Sequence, residues 1–344
     1  MEIPKLTQFS PGAGCGCKIS SSDLKKIINK SGPSAMFPEL LVGYESSDDA
    51  AVFDLGNENA LISTTDFFTP IVDDPYDYGR IAATNAISDV YAMGGKPLIA
   101  ISILGWPLEK LPAQLAAKVI EGAEIICNEA GIPLAGGHSI NISDPVFGLA
   151  VTGIVTKENI KQNNKATSQC LLFLTKPLGL GLITTAEKHG IASIENKEKA
   201  LEVMTTLNKL GYHAGFLKSV KAMTDVTGFG LLGHLLEICE GSNLSAILLA
   251  DKIPVLDGIL HYIEKKAIPG GTFRNWKSYG HEIDKLSEIQ KMIYCDPQTS
   301  GGLLIAVEKD DLHSFLECCR DNNAEAFNIG YLKEYDGNKR IYIQ

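Results

Sequence analysis

The segment Gly12-Ala13-Gly14-Cys15-Gly16-Cys17-Lys18 places two thiols and an amine within a run of three glycines. A lysine beside a thiol favours the thiolate, the form that acts as nucleophile or metal ligand. A C-x-C pair does not easily close a relaxed disulfide, because disulfide geometry restricts the Cα separation. The bland reading is a glycine-rich tail that merely carries thiols. Against it, an exposed cysteine is an oxidation liability, and Lys18 supplies the setting for thiolate chemistry.

A second set is dispersed carboxylates. Asp48-Asp49 precedes an apolar strand, Asp66 follows the strand 60–65, and Asp225 follows Ala222-Met223-Thr224 at a strand end. Asp89 lies in a helix over 76–93, with Asn85 four residues earlier on the same face. Strand ends are where α/β sheets gather ligand-binding groups, and converging carboxylates would offer the oxygen ligands that Mg²⁺ takes beside phosphates. Taken singly, each Asp is equally at home in a turn or cap. Asp89 fits that reading least, since Asp is a mediocre residue for a helix interior.

Glycine clusters form the third set: Gly136-Gly137-His138, Thr227-Gly228-Phe229-Gly230, Pro269-Gly270-Gly271-Thr272 and Thr299-Ser300-Gly301-Gly302. Such loops expose backbone N–H groups to phosphate. None has the G-x-x-x-x-G-K-[ST] or G-x-S-x-G spacing, so a Walker-type ATPase and a serine-hydrolase elbow are excluded, and none forms the G-x-G-x-x-G turn of a Rossmann βαβ unit. A lone histidine is more often structural, yet His138 follows two glycines after a strand, where it suits a phosphate contact. His234 reads as an interior side chain of a helix over 229–240, and His281 as a loop residue able to touch ligand. Cys127, Cys170 and Cys239 read as small core hydrophobes, and Cys318-Cys319 as bland helix positions.

The elements that must hold these groups alternate. Strands are expected at 50–53, 60–65, 98–104, 132–135 and 147–155, with helices at 76–93 and 111–130. A short helix should run over 23–29. The apolar run 98–104 reads as a strand buried on both faces, and 132–135 and 147–155 as further buried strands. The polar stretch 156–168 is the candidate domain junction. Beyond it come strands 170–175, 245–250, 303–307 and 327–332, helices 180–189, 197–218, 229–240 and 309–320, and a Gly/Pro-rich loop over 268–281.

Composition narrows the class. A chain of 344 residues with 45% hydrophobic and 21% charged residues can build the cores of two globular domains. Asp and Glu (41) exceed Lys and Arg (31), and a net charge of −10 argues against nucleic-acid and anionic membrane surfaces. No run of 18 apolar residues occurs, and the eight cysteines are too sparse for a disulfide scaffold, so a reduced, cytoplasmic protein is expected.

Taken together, the motifs resemble the selenophosphate synthetase (selenide, water dikinase) family. Gly12-Ala13-Gly14-Cys15-Gly16-Cys17-Lys18, Asp48-Asp49-Ala50-Ala51-Val52, Ser63-Thr64-Thr65-Asp66-Phe67-Phe68 and Ala83-Thr84-Asn85-Ala86-Ile87-Ser88-Asp89 carry the likeness. So do Ala135-Gly136-Gly137-His138-Ser139, Thr224-Asp225-Val226-Thr227-Gly228-Phe229-Gly230 and Asp296-Pro297-Gln298-Thr299-Ser300-Gly301-Gly302. The resemblance implies an α/β plus α+β chain with the aminoimidazole ribonucleotide synthetase-like fold, related also to thiamine-monophosphate kinase. Its N-terminal domain would form a dimeric β-barrel-like interface flanked by helices. The implied parts are a mobile catalytic loop over 1–20, an ATP/Mg-binding and dimerisation domain over 21–156, and an α+β domain over 157–344.

The implied reaction converts ATP, selenide and water to selenophosphate, AMP and phosphate, a selenium donor for selenocysteine and selenouridine synthesis. Carried over by position, Cys15 and Lys18 match the catalytic pair, and Asp49, Asp89 and Asp225 match the Mg²⁺ ligands. Lys18, Ser46, Ser47, Asp48, Asp66, Asp89, Gly136, Gly137 and His138 match the ATP contacts. The implied partners are a second copy of the chain and a selenium-delivery protein. Two other readings stay open: a small-molecule kinase of the same superfamily, which has no need of the thiol loop, and a selenium or metal carrier, which has no need of the carboxylates.

Overall fold

The computed structural model describes residues 4–10, 18, 19, 24, 27, 37–43 and 48–344. Cys15, Cys17, Ser46, Ser47 and most of the expected helix over 23–29 lie outside the described residues; of that helix, Leu24 and Ile27 are helical.

The first half builds one six-stranded sheet from β1 (Leu40–Val42), β2 (Ala51–Asp54), β3 (Asn59–Phe68), β4 (Lys96–Trp106), β5 (Leu134–Asn141) and β6 (Val146–Thr156). Their order is β1-β2-β3-β6-β4-β5, antiparallel except for the β4–β5 pair. Alternation along β3 sets the two faces. Ala60, Ile62 and Phe68 are buried, whereas Ser63, Thr65 and Phe67 are exposed. Thr64 and Asp66 therefore share the covered face.

Helix α1 (Pro75–Ala92) covers that face, with α2 (Ala113–Ala130) packed outside it. Asp74 caps α1 by accepting the Asp77 N–H, and Pro75 opens its first turn. Glycines let the two helices touch: a Cβ on Gly79 would fall 1.9 Å from Val119 O, and one on Gly122 would fall 2.0 Å from Tyr76 O. Nearly every side of α1 is buried, including Asn85, Ser88 and Asp89.

The other sheet face is open in the single chain. Leu98, Ile99 and Ile101 on β4 are exposed, so that strand is not buried on both faces as its apolar run suggested. The expected buried strand at 132–135 is likewise corrected: β5 is an edge strand, exposed along almost its whole length.

The second half builds the other sheet from β7 (Leu171–Leu174), β8 (Val220–Asp225), β9 (Leu244–Leu248), β10 (Leu303–Val307), β11 (Phe327–Glu334) and β12 (Ile341–Ile343). Its order is β12-β9-β11-β7-β10-β8. Its helices are α3 (Leu180–Lys188), α4 (Ile194–Thr205), α5 (Leu210–Gly215), α6 (Gly230–Gly241), α7 (Ile259–Glu264), α8 (Gly270–Tyr279), α9 (Glu288–Tyr294) and α10 (Leu312–Asp321).

Two expectations change here. The helix over 197–218 is two helices, α4 and α5, broken at Thr206, which takes an extended backbone. The break turns Asn208 inward, where its amide donates to Ser88 Oγ (2.8 Å) and Gly301 O (2.9 Å). The presumed loop over 268–281 contains α8, which starts directly after Pro269. Its Asn275 donates to Gly228 O (2.9 Å) and Cys295 O (3.0 Å).

The polar stretch after β6 is pinned between the two sheets. Lys161 Nζ donates to Leu217 O (3.0 Å) and Val220 O (2.9 Å), and the buried Asn163 donates its backbone N–H to Asp48 Oδ1 (2.7 Å).

Candidate active site

The two halves meet where α1 lies against the end of β8. Asp89 projects from α1, Asp225 ends β8, and Asp49 sits just before β2. One oxygen from each comes within 4.8 Å of the others. Hydroxyls from both sheets orient them: Thr64 on β3 donates to Asp89 Oδ2 (2.5 Å), and Thr224 on β8 donates to Asp49 Oδ1 (2.8 Å). Ser88 donates to Asp225.

Burial pushes Asp49 and Asp89 well above the usual carboxylate range, and the neighbouring Asp225 charge pushes them further. Burial raises Asp225 as well. Asp49 Oδ2 and Asp225 Oδ2 are shut off from solvent and have no hydrogen-bond donor among the described residues. Such orphaned oxygens, converging and mutually repelling, fit a hard divalent cation, which takes oxygen ligands.

Asp66 stands beside this cluster. Its Oδ2 accepts from Asn85 Nδ2 (2.5 Å) and lies 3.8 Å from Lys18 Nζ. The other end of the Asn85 amide accepts the Ser300 N–H (2.8 Å), so one side chain ties Asp66 to the second half. Lys18 Nζ also lies 3.5 Å from Thr227 Oγ1.

Other expected site residues fall elsewhere. Asp48 is held by Asn163, as described. Gly136, Gly137 and His138 lie on the exposed edge strand β5, where Gly136 O accepts from Ser102 Oγ (3.2 Å). Register pairs His138 with Ile103 and Ile140 with Gly105, which puts both on the open sheet face. His281 is exposed beside Glu282 and joins no site contact described here. Cys15, Ser46 and Ser47 lie outside the described residues.

Thr64, Thr224 and Thr227 were not singled out by sequence reasoning. Thr64 was findable from the two-residue period it shares with Asp66. Thr224 and Thr227 flank Asp225 and differ from ordinary strand-end threonines only by what they meet in space.

Two family profiles match the chain. One, described as AIR synthase related protein, N-terminal domain, matches residues 47–155; the C-terminal domain profile matches residues 168–343. A selenide, water dikinase of Pasteurella multocida is 56% identical over 334 residues, covering 96% of this chain and 95% of that protein. One from Yersinia pseudotuberculosis is 58% identical over 337 residues, covering 98% and 97%. The chain belongs to the selenide, water dikinase family.

Members of the selenide, water dikinase family are ATP-dependent kinases, and the carboxylate cluster described above suits a divalent metal. The fold is shared more widely. Thiamine monophosphate kinase from Aquifex aeolicus superposes with a TM-score of 0.67 at 17% identity, over 94% of this chain and 96% of that one. Hydrogenase maturation protein HypE in complex with ATP gives a TM-score of 0.64 at 17% identity, over 97% and 90%. No described helix is long and apolar enough to cross a membrane.

Proposed function

We propose that the carboxylate cluster is the Mg²⁺–ATP site of a selenophosphate synthetase reaction, in which ATP, selenide and water give selenophosphate, AMP and phosphate. The observation that carries this is the convergence of Asp49, Asp89 and Asp225 from both halves, with orphaned buried oxygens. These three would hold Mg²⁺, and Mg²⁺ when bound neutralises charge on the phosphates.

The chain's own residues do the rest. Lys18, steered by Asp66 and Thr227, presents its ammonium to the phosphoryl group. Phosphoryl transfer is mostly positioning and charge stabilisation, so a fixed lysine contributes directly. Asn85 locks Asp66 and so sets the direction of Lys18. In the same reading Cys15 is the soft nucleophilic group that handles selenide, and Ser46, Ser47, Asp48, Gly136, Gly137 and His138 contact the nucleotide.

The reading includes a homodimer formed through the open face of the first sheet, where Phe53, Phe67, Ile99, Ile101 and Ile140 are exposed. Its domains are 21–156 and 157–344, with residues 1–20 as the catalytic loop. A selenium-delivery protein and a cytoplasmic setting, where thiols stay reduced, complete it.

Phosphorus NMR of an anaerobic mixture of the protein with ATP, Mg²⁺ and selenide tests the proposal. A P–Se species with AMP is expected. ADP as the end product points to a simple kinase, and no selenide-dependent ATP consumption by a protein that binds ATP points to a carrier.

A further inference from the structure

A second line of side chains reaches the site from α6. Glu237 Oε2 lies 3.0 Å from His234 Nδ1, and His234 Nε2 lies 3.3 Å from Thr227 Oγ1. Thr227 Oγ1 in turn lies 3.5 Å from Lys18 Nζ. We propose that His234 is a positioning residue, which turns the Thr227 hydroxyl so that its oxygen faces Lys18. The proposal rests on the reading of Lys18 as the phosphate-binding lysine.

The direction of each contact follows from what each group can donate. A neutral imidazole has one N–H and one acceptor nitrogen. The Glu237 carboxylate approaches Nδ1 off the line of a straight hydrogen bond, so it acts by charge, and that charge favours the proton on Nδ1. Nε2 is then the acceptor, and the Thr227 hydroxyl donates to it. This leaves the Thr227 oxygen lone pairs for Lys18, which has only donors. With the opposite tautomer, Nε2–H would donate to Thr227 and push the hydroxyl proton toward the ammonium, donor against donor. The carboxylate therefore selects the arrangement in which Lys18 is held.

The Thr227 loop does not depend on His234 for its shape. Thr227 O accepts the N–H groups of Gly230 and Gln298, both at 3.0 Å. Gly228 O accepts from Asn275 (2.9 Å), and Phe229 O accepts from the Tyr279 hydroxyl (2.6 Å). His234 itself is buried and stacks near Phe229, with ring centroids 5.7 Å apart. Its function as an orienting group can thus be separated from a role in packing.

The experiment uses the full-length protein and follows selenide-dependent AMP formation in His234→Asn, His234→Gln, Thr227→Val and the His234→Asn/Thr227→Val double variant. A glutamine carbonyl reaches roughly where Nε2 sits, whereas an asparagine amide reaches only the Nδ1 position. His234→Asn should lower kcat by roughly 10–100-fold, as loss of an orienting partner does, while KM for ATP stays within about twofold. His234→Gln should recover most of that loss, a rescue that packing alone does not give. The double variant should be no worse than Thr227→Val, because both remove one link.

Wild-type kcat in His234→Asn, equal loss in the Asn and Gln variants, or losses that multiply in the double variant would each overturn the proposal. Where His234→Asn does not fold, Glu237→Gln serves: a lowered kcat supports the proposal and an unchanged one overturns it. Lys18→Ala separates the two readings. If it keeps full turnover, the lysine reading fails; if it is inactive while His234→Asn is fully active, only the present proposal fails.

Discussion

Thr224 donates its hydroxyl to Asp49 across the seam between the two sheets, joining positions 175 residues apart at 2.8 Å. The bond leaves Asp49 Oδ2, the orphaned oxygen, aimed away from its donor. Thr224→Val removes the hydroxyl at nearly constant volume. Turnover should fall roughly 10–100-fold, as when the partner of a metal ligand is lost, and a higher Mg²⁺ concentration should recover part of it. Unchanged turnover at low Mg²⁺ would show that the contact does not tune the site.

Removing a ligand is more severe than misaligning one. Asp49→Ala, Asp89→Ala and Asp225→Ala should each lower ATP turnover by at least about 100-fold, since phosphate charge goes uncompensated. Circular dichroism and melting should show the fold retained, because losing one of three crowded buried carboxylates relieves repulsion. Near-normal turnover in any one variant removes that residue from the site.

The thiol loop separates chemistry from binding. Lys18→Ala should lose ATP-dependent chemistry. Cys15→Ser should bind ATP and make no selenophosphate, because a serine hydroxyl is neither ionised at neutral pH nor soft. Cys17→Ser should keep substantial activity. Isothermal titration with a non-hydrolysable ATP analogue, run beside phosphorus NMR, reads both properties. Full selenophosphate formation by Cys15→Ser would remove the thiol from the mechanism.

The open face of the first sheet carries its own test. Sedimentation at micromolar concentration should give twice the 37.1 kDa chain mass. Phe67→Glu and Ile101→Glu, which place charge on exposed apolar positions of that face, should shift the species to monomer with little change in helix content. An active wild-type monomer would contradict the arrangement.

Asp296 predicts a pH dependence of stability. Burial pushes its carboxyl up to about 8, against hydrogen bonds from Gln298 and the N–H groups of Leu182 and Gly181. The folded chain therefore keeps a proton that the unfolded chain releases near pH 4. Between those values the folded state binds more protons, so this contribution is present at low pH and fades as pH rises toward about 8. Asp296→Asn keeps a neutral side chain of the same shape. The urea midpoint of the wild type should drop relative to the variant between about pH 5 and pH 8.5, and a constant difference would refute it.

Much of the site was legible before the fold. Asp89 stands out because a helix interior disfavours Asp, whereas each strand-end Asp taken singly is at home in a turn or cap. That Asp49, Asp89 and Asp225 form one set came only from the resemblance, because residue patterns alone do not show α1 clasped between two sheets. The broken helix at Thr206 escaped periodicity because Leu207 and Leu210 keep apolar spacing across the break while Asn208 answers to Ser88 and Gly301. Strand β4 misled for a different reason. An apolar run does not distinguish a strand covered on both faces from one whose second face is open in the single chain, as at Ile99 and Ile101 here.

The split origin of the carboxylates also sets an order of events during synthesis. Asp49 and Asp89 leave the ribosome well before Thr224 and Asp225, and β8 can pair only after β10, at residues 303–307, has been made. A chain that stops before β8 therefore carries two of the three cluster carboxylates and lacks the third. The three-carboxylate cluster is thus assembled only once β10 has emerged, and fragments shed earlier do not hold it intact.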